Sequence, residues 1–236
     1  MCIRDSKIGI QLQAPSLLPL IKVEEILDTF ASFYQQRLPV NEVLELFALQ
    51  ESRNVLVKNL SGGQQQRLSV AMAFVNDPEI AFLDEPTTGL DPQARRGLWS
   101  VIENMRSKGK TVFLTTHYME EAERLCDRVA IIDHGKIIAL GTPRDLISEY
   151  FKEKAIQFEL ERPPSETILR EFPAATQIAI DGSEVVIYSN NIPTTMSALL
   201  QFAEKEGLAG QLKDLHVREA TLEDVFLKLT GRKIRE

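Results

Sequence analysis

"SGGQQQRLSVAMAFVNDPEIAFLDEP", residues 61–86, joins a serine and two glycines to a helical run, then to a short apolar run closed by two acids. Ser61 is a favourable N-cap, and Pro78 lies beyond the end of the helix it opens. Residues 79–86 have the profile of a strand buried on both faces. Such a strand delivers Asp84 and Glu85 to the carboxyl edge of a parallel sheet, where open α/β folds bind ligands. Adjacent strand residues point opposite ways, so one acid can serve a metal while the other faces a different target. Each piece alone has a plain rival. Ser61-Gly62-Gly63 reads equally as a cap and turn, and surface Asp-Glu pairs are common and inert.

Working outward, residues 91–110 form a second helical stretch with Pro92 near its start and Gly109 as its stop. Residues 111–117 read as another buried strand, ending at His117. A short helix over 119–126 leads to a hairpin over 128–141 that turns at 133–135. Upstream, residues 7–10 look like the tail of a strand, and residues 13–19 form a Pro-containing loop. Helical periodicity runs through 23–33 and 41–49. Strands alternating with helices predict an α/β domain with a largely parallel sheet. Around residues 142–151 the alternation stops. Residues 155–236 read as a smaller α+β unit, with strands at 155–161, 176–182 and 184–189 and helices at 165–172 and 194–207. The expected domains are 7–150 and 151–236.

Bulk composition narrows the function classes. A chain of 236 residues with 44% apolar and 26% charged residues can bury a real core. Its net charge of −7 argues against nucleic acid as a partner. Cys2 and Cys126 cannot make a disulfide framework, which fits a reducing compartment. The histidines show no metal-ligand spacing. No apolar run approaches the roughly 18 residues that span a bilayer, so a membrane role is peripheral or through a partner. Residues 1–6, "MCIRDS", back-translate to a sequence that resembles a transposon end used in preparing sequencing libraries. They are expected to be a non-native leader; a native polar N-terminus is the alternative.

The order of motifs carries the sharpest reading. Gln13 in "LQAPSLLP" is followed by "LSGGQQQR", "AFLDEP", "TTGLDP" and "TTH". This series resembles the nucleotide-binding subunit of ABC transporters over residues 7 to about 145. The resemblance implies a partial P-loop NTPase-like domain with a helical signature subdomain, using ATP and Mg²⁺. It gives Gln13 the Q-loop role of sensing Mg²⁺ and the attacking water. Ser61, Gly62, Gly63 and Gln64 match the signature motif. Asp84 matches the Mg²⁺-holding aspartate of Walker B, and Glu85 matches the general base. Asp91 matches the D-loop aspartate linking the two sites of a dimer, and His117 the switch histidine on the γ-phosphate. The implied partners are a second ABC subunit, with ATP sandwiched head to tail, and an integral membrane permease. The implied location is the inner face of the cell membrane.

Outside that pattern, residues 64–67 read as a solvated helical face, with Arg67 pairing with nearby acids. His134 and His216 read as structural. One part of the pattern is missing from the 236 residues: the phosphate-cradling G-x-x-x-x-G-K-[ST]. Gly109-Lys110-Thr111 is the nearest candidate, but Asn104 stands where the first glycine belongs, and the context is helix-to-strand instead of strand-to-helix. N-terminal truncation is the expectation. A chain without that loop is expected to bind ATP poorly, and its sheet to expose apolar edges.

The segment 217–233 resembles the tail of the drug-exporter and antibiotic-resistance branch, which implies an ABC-2-type permease on a separate chain. There Thr221 opens a helix with Asp224 as capping-box partner, and Leu222, Val225, Phe226 and Leu229 form a stripe read as core packing. The function expected is an ATP-hydrolysing exporter subunit. The alternatives are a non-catalytic ABC-like regulatory module and a soluble ABC ATPase outside transport.

Overall fold

The computed structural model describes residues 7–13 and 17–231, so the expected leader over 1–6 lies outside the described residues. The chain divides into two compact units, Met1–Leu125 and Cys126–Glu236.

In the first unit, β1 (Ile8–Gln11), β2 (Ile80–Asp84) and β3 (Thr111–Thr115) form a parallel sheet in the order β1-β2-β3. Helices α1 (Val23–Ser32) and α2 (Val40–Leu46) precede α3 (Gly62–Phe74), while α4 (Pro92–Ser107) joins β2 to β3 and α5 (Met119–Leu125) follows β3. Ser61 and Asp91 cap α3 and α4, as polar residues before apolar-periodic runs should. Leu68, Val70, Ala71 and Phe74 of α3 are buried with Leu27 of α1, and Phe47 lies 5.7 Å from Phe74 between ring centroids. The end of α3 presses so closely on β1 that a Cβ on Gly9 would sit 1.9 Å from the Ala73 carbonyl oxygen.

Neither β2 nor β3 is buried on both faces. Helices α3 and α4 pack on one side, taking Ala81 and Leu83 into the core. On the other side Ile10, Phe82 and Phe113 stand opposite one another across the three strands, exposed by 63%, 41% and 61%. The apolar exposure therefore lies on a face of the sheet, where the sequence reading expected it at the edges. An uninterrupted apolar run reports hydrophobicity, and packing decides how many faces get covered.

In the second unit β4 (Val129–Asp133) and β5 (Lys136–Gly141) make a hairpin. His134 and Gly135 take φ of 45° and 72° at its turn, the left-handed pair a two-residue hairpin favours. Helix α6 (Pro143–Tyr150) leads into an antiparallel sheet of order β7-β8-β6-β9, built from β6 (Lys154–Glu159), β7 (Ala175–Asp181), β8 (Glu184–Ser189) and β9 (Lys213–Glu219). Helices α7 (Glu166–Arg170) and α8 (Ile192–Lys205) belong to a core around Ile156, Phe158, Leu169, Ile187 and Leu199. Helix α9 (Leu222–Thr230) packs on α6, and Lys228 Nζ donates to the Tyr150 carbonyl at 2.7 Å. That packing draws residues 126–150 into the second unit, upstream of the point near 150 where the sequence pattern changes.

The capping box at Thr221 forms as expected, and Leu222 and Val225 of the stripe are buried. Asp224 also receives both terminal nitrogens of Arg218, at 2.6 and 3.0 Å. Burial pushes the Asp224 carboxyl upward, but hydrogen bonds from Arg218, Tyr188 and the Thr221 amide outweigh it and hold the group below the usual carboxylate range. Burial, then the hydrogen bond to Asp224 and its charge, raises the Tyr188 hydroxyl.

Candidate functional site

β2 ends at Asp84, and the next residue breaks the strand. Glu85 takes φ of +45°, a left-handed conformation that costs a non-glycine residue about 1–2 kcal/mol. The bend is braced from β3: the Glu85 amide donates to the Thr115 carbonyl at 3.1 Å and to Thr115 Oγ1 at 3.0 Å. The same hydroxyl donates to Asp84 Oδ1. One threonine thus fixes Asp84 on the strand and Glu85 just off it.

The Glu85 carboxylate gathers three more side chains. Gln13 Nε2 donates to Oε2 at 2.8 Å, and Thr88 Oγ1 donates to the same oxygen at 3.1 Å. His117 Nδ1 lies 3.4 Å from Oε1. Gln13, Asp84, Glu85 and His117 therefore form one cluster at the carboxyl end of the parallel sheet. The Tyr118 ring stands 4.2 Å from the His117 ring, and the Arg95 guanidinium lies 4.3 Å over the Tyr118 ring.

The start of α3 forms a second group. Ser61 Oγ accepts from the Gln64 amide, and Gln64 Oε1 accepts from the Ser61 amide at 2.9 Å. Helix geometry leaves the Gly62 and Gly63 amides without intrahelical acceptors. No atom would lie within 4 Å of a Cβ on Gly62, so the helix start is open on that side. A Cβ on Gly63 would meet Ala94 Cβ at 3.4 Å, and Gln66 Nε2 donates to the Pro86 carbonyl at 2.8 Å. These contacts tie the helix start to residues 86–94. Asp91 belongs to that segment; its Oδ1 accepts from the Gln93 and Ala94 amides at 2.9 Å each.

The 64–67 face is half-buried and hydrogen-bonded to the protein. Gln64 reaches Ser52, Gln65 the Leu60 carbonyl and Gln66 the Pro86 carbonyl. Among the described residues, Arg67 donates to the Ala48 carbonyl at 3.4 Å and forms no ion pair with an acid. Lys110 pairs with Asp77 at 2.7 Å, and Gly109, at φ +79°, ends a helix, so Gly109-Lys110-Thr111 is no phosphate loop. His134 sits in the β4–β5 turn, and His216 lies within β9, its Nδ1 2.6 Å from the Asp214 carbonyl. Thr115, Thr88 and Gln66 carry no signal of their own in the sequence. Parallel pairing of Asp84 with Thr115 is what would have exposed the first.

Among the described residues no group of three or more His, Cys, Asp and Glu could hold a metal by itself. One carboxylate at the site fits Mg²⁺, which keeps waters and takes oxygens from substrate phosphates. No helix among the described residues is long and apolar enough to cross a membrane.

The family model described as ABC transporter matches residues 1–88. Nod factor export ATP-binding protein I of Ralstonia nicotianae is 37% identical over 238 residues, covering 98% of this chain and 72% of that protein. The protein of the same name from Burkholderia pseudomallei strain 1710b is 42% identical over 235 residues, covering 97% and 74%. Among solved structures, a dimeric ATP-binding cassette in a post-hydrolysis state with ADP and Pi is similar with a TM-score of 0.53 and 29% identity. It shares 59% of this chain and 64% of its own length. The structure of an ATP-binding subunit of an ABC transporter matches with a TM-score of 0.54 at 29% identity, over 61% and 62%. The chain thus spans less than two thirds of those two solved proteins.

Proposed function

Because this chain belongs to the ABC transporter ATP-binding family, we propose that it is the ATP-hydrolysing subunit of an exporter, acting with a second ABC subunit and a separate ABC-2-type membrane permease. The Glu85 cluster is the observation that carries this reading. A carboxylate beside Asp84, met by an amide, a hydroxyl and an imidazole, is the equipment for activating water next to a bound cation. Relatives named for Nod factor export support export; a drug-like cargo rests on the likeness of residues 217–233 to that branch.

Mg·ATP, when bound, supplies the terminal phosphoryl group and the cation that shields its charge. Asp84 would hold the cation, with Gln13 offering its Oε1 beside it. Oε2 of Glu85 already takes hydrogen bonds from Gln13 and Thr88, so Oε1, next to His117, is the atom that takes the proton from water. His117 would then face the terminal phosphate. Positioning and charge neutralisation are the main work in such a transfer. Ser61 and the bare Gly62 and Gly63 amides at the positive end of α3 suit a phosphate. In a head-to-tail pair that phosphate belongs to the partner's nucleotide, and Asp91 lies beside the seam. The subunit would sit on the cytoplasmic face of the membrane, held by its permease.

The second reading is a subunit that pairs and regulates without turning over ATP itself. One experiment separates the two. In a form that carries the phosphate loop, assembled with permease and paired subunit, Glu85→Gln is expected to keep ATP binding and lower turnover about 10²–10⁴-fold. Turnover equal to the parent would remove Glu85 from the base role and favour the regulatory reading. The chain alone is expected to bind ATP weakly and hydrolyse none.

A further inference from the structure

We propose that Tyr118, clamped by Arg95, is the positioning residue that aims the His117 ring at Glu85; this rests on the role given to His117 and Glu85 above. His117 lies beyond the end of β3, so no ladder fixes it. Its contact with Glu85 Oε1, at 3.4 Å, is too long to hold the ring by itself. The Tyr118 ring, 4.2 Å away at a 41° tilt, is the neighbour that does.

Tyr118 is in turn held from several directions. Its amide donates to Thr116 Oγ1 at 2.9 Å, and its carbonyl accepts from the Glu121 and Ala122 amides at 3.1 and 3.2 Å. The backbone of Tyr118 thereby opens α5. Over its ring lies the Arg95 guanidinium, at 4.3 Å. Arg95 Nε is buried with no hydrogen-bond partner among the described residues. A guanidinium that leaves a donor unpaired is placed for the aromatic face, where a cation is attracted by the ring quadrupole. Arg95 belongs to the first turn of α4, its amide donating to the Asp91 carbonyl at 2.9 Å. One turn further on, Trp99 Nε1 donates to the buried Glu121 Oε1 at 2.8 Å, locking α5 to the same helix. The first two turns of α4 therefore set where His117 points. A shift at Asp91 reaches the imidazole through one stacked pair of side chains.

The test uses nitrogen NMR of the purified chain labelled at histidine, with the His117 signal identified by its loss in His117→Gln. In the parent, Glu85→Gln is expected to move the His117 Nδ1 resonance. In Tyr118→Ala that response is expected to disappear, in Tyr118→Phe to persist, and in Arg95→Ala to shrink. Trp99 emission, read alongside, reports folding of the α4–α5 seam; if Tyr118→Ala unfolds it, the comparison of Arg95→Ala with Tyr118→Phe decides. A full response in Tyr118→Ala or Arg95→Ala, a Tyr118→Phe that behaves like alanine, or no response in the parent overturns the proposal. The readout needs no nucleotide, so it stands or falls separately from the ATPase reading, which the turnover of Glu85→Gln decides.

Discussion

At Thr115 a single hydroxyl accepts from the Glu85 amide at 3.0 Å and donates to the Asp84 carboxylate. The two acids are neighbours in sequence, yet this contact keeps one on the strand and lets the other swing off it. Thr115→Val preserves shape and removes both bonds, leaving the Asp84 carboxylate without its donor. Both bonds are exposed, so we expect a loss of about 0.5–1.5 kcal/mol in urea denaturation and reduced turnover in the assembled transporter. Unchanged stability would show that the hydroxyl is not the brace. Asp84, Glu85, Gln13 and His117 were legible in the sequence because ordered spacing marks them. Thr115 was not, because its meaning comes from a pairing between strands far apart in the chain. Glutamines 64–66 were misread for a related reason: polarity suggested water, whereas their amides reach backbone carbonyls and Ser52 across the helix.

Among elements, the junction of β1 with α3 leaves no room for a side chain at Gly9. A methyl group on Gly9 has nowhere to go against the Ala73 carbonyl, which is backbone and cannot rotate away. Gly9→Ala is expected to destabilise the first unit by about 1–3 kcal/mol, read as a lower thermal midpoint; a midpoint equal to the parent's would mean α3 can slide. In the second unit, β9 and α9 are held by Arg218 and Asp224. Because the Asp224 carboxyl is held below the ordinary carboxylate value when folded, its contribution is fully present above about pH 4. It is lost as the pH falls from there through the depressed folded value. Acid titration followed by circular dichroism is expected to show an early loss that Asp224→Asn abolishes; identical curves would remove Asp224 as the cause. The sequence reading set no bounds for strand β9, because Lys213–Glu219 alternates weakly, with charges on both faces. The helices and the hairpin were readable from their caps, stops and turn residues.

For the whole molecule, the division into two compact units lets the first be followed by itself. The chain has one tryptophan, Trp99, in the first unit, so its emission follows that unit while circular dichroism follows both. The first unit also carries the exposed row Ile10, Phe82 and Phe113, with Phe82 and Phe113 5.7 Å apart between ring centroids. A bare apolar sheet face of this kind invites self-association. Phe82→Ser with Phe113→Ser is expected to lower light scattering of the purified chain on warming, and scattering equal to the parent's would point to another surface. In the proposed pair, the hydrogen bond from Gln66 to the Pro86 carbonyl takes on a mechanical meaning. The α3 end serves the nucleotide of one site, while the loop after Glu85 serves the other. That bond, with the close approach of Gly63 to Ala94, would then join the parts of one chain that serve two different nucleotides.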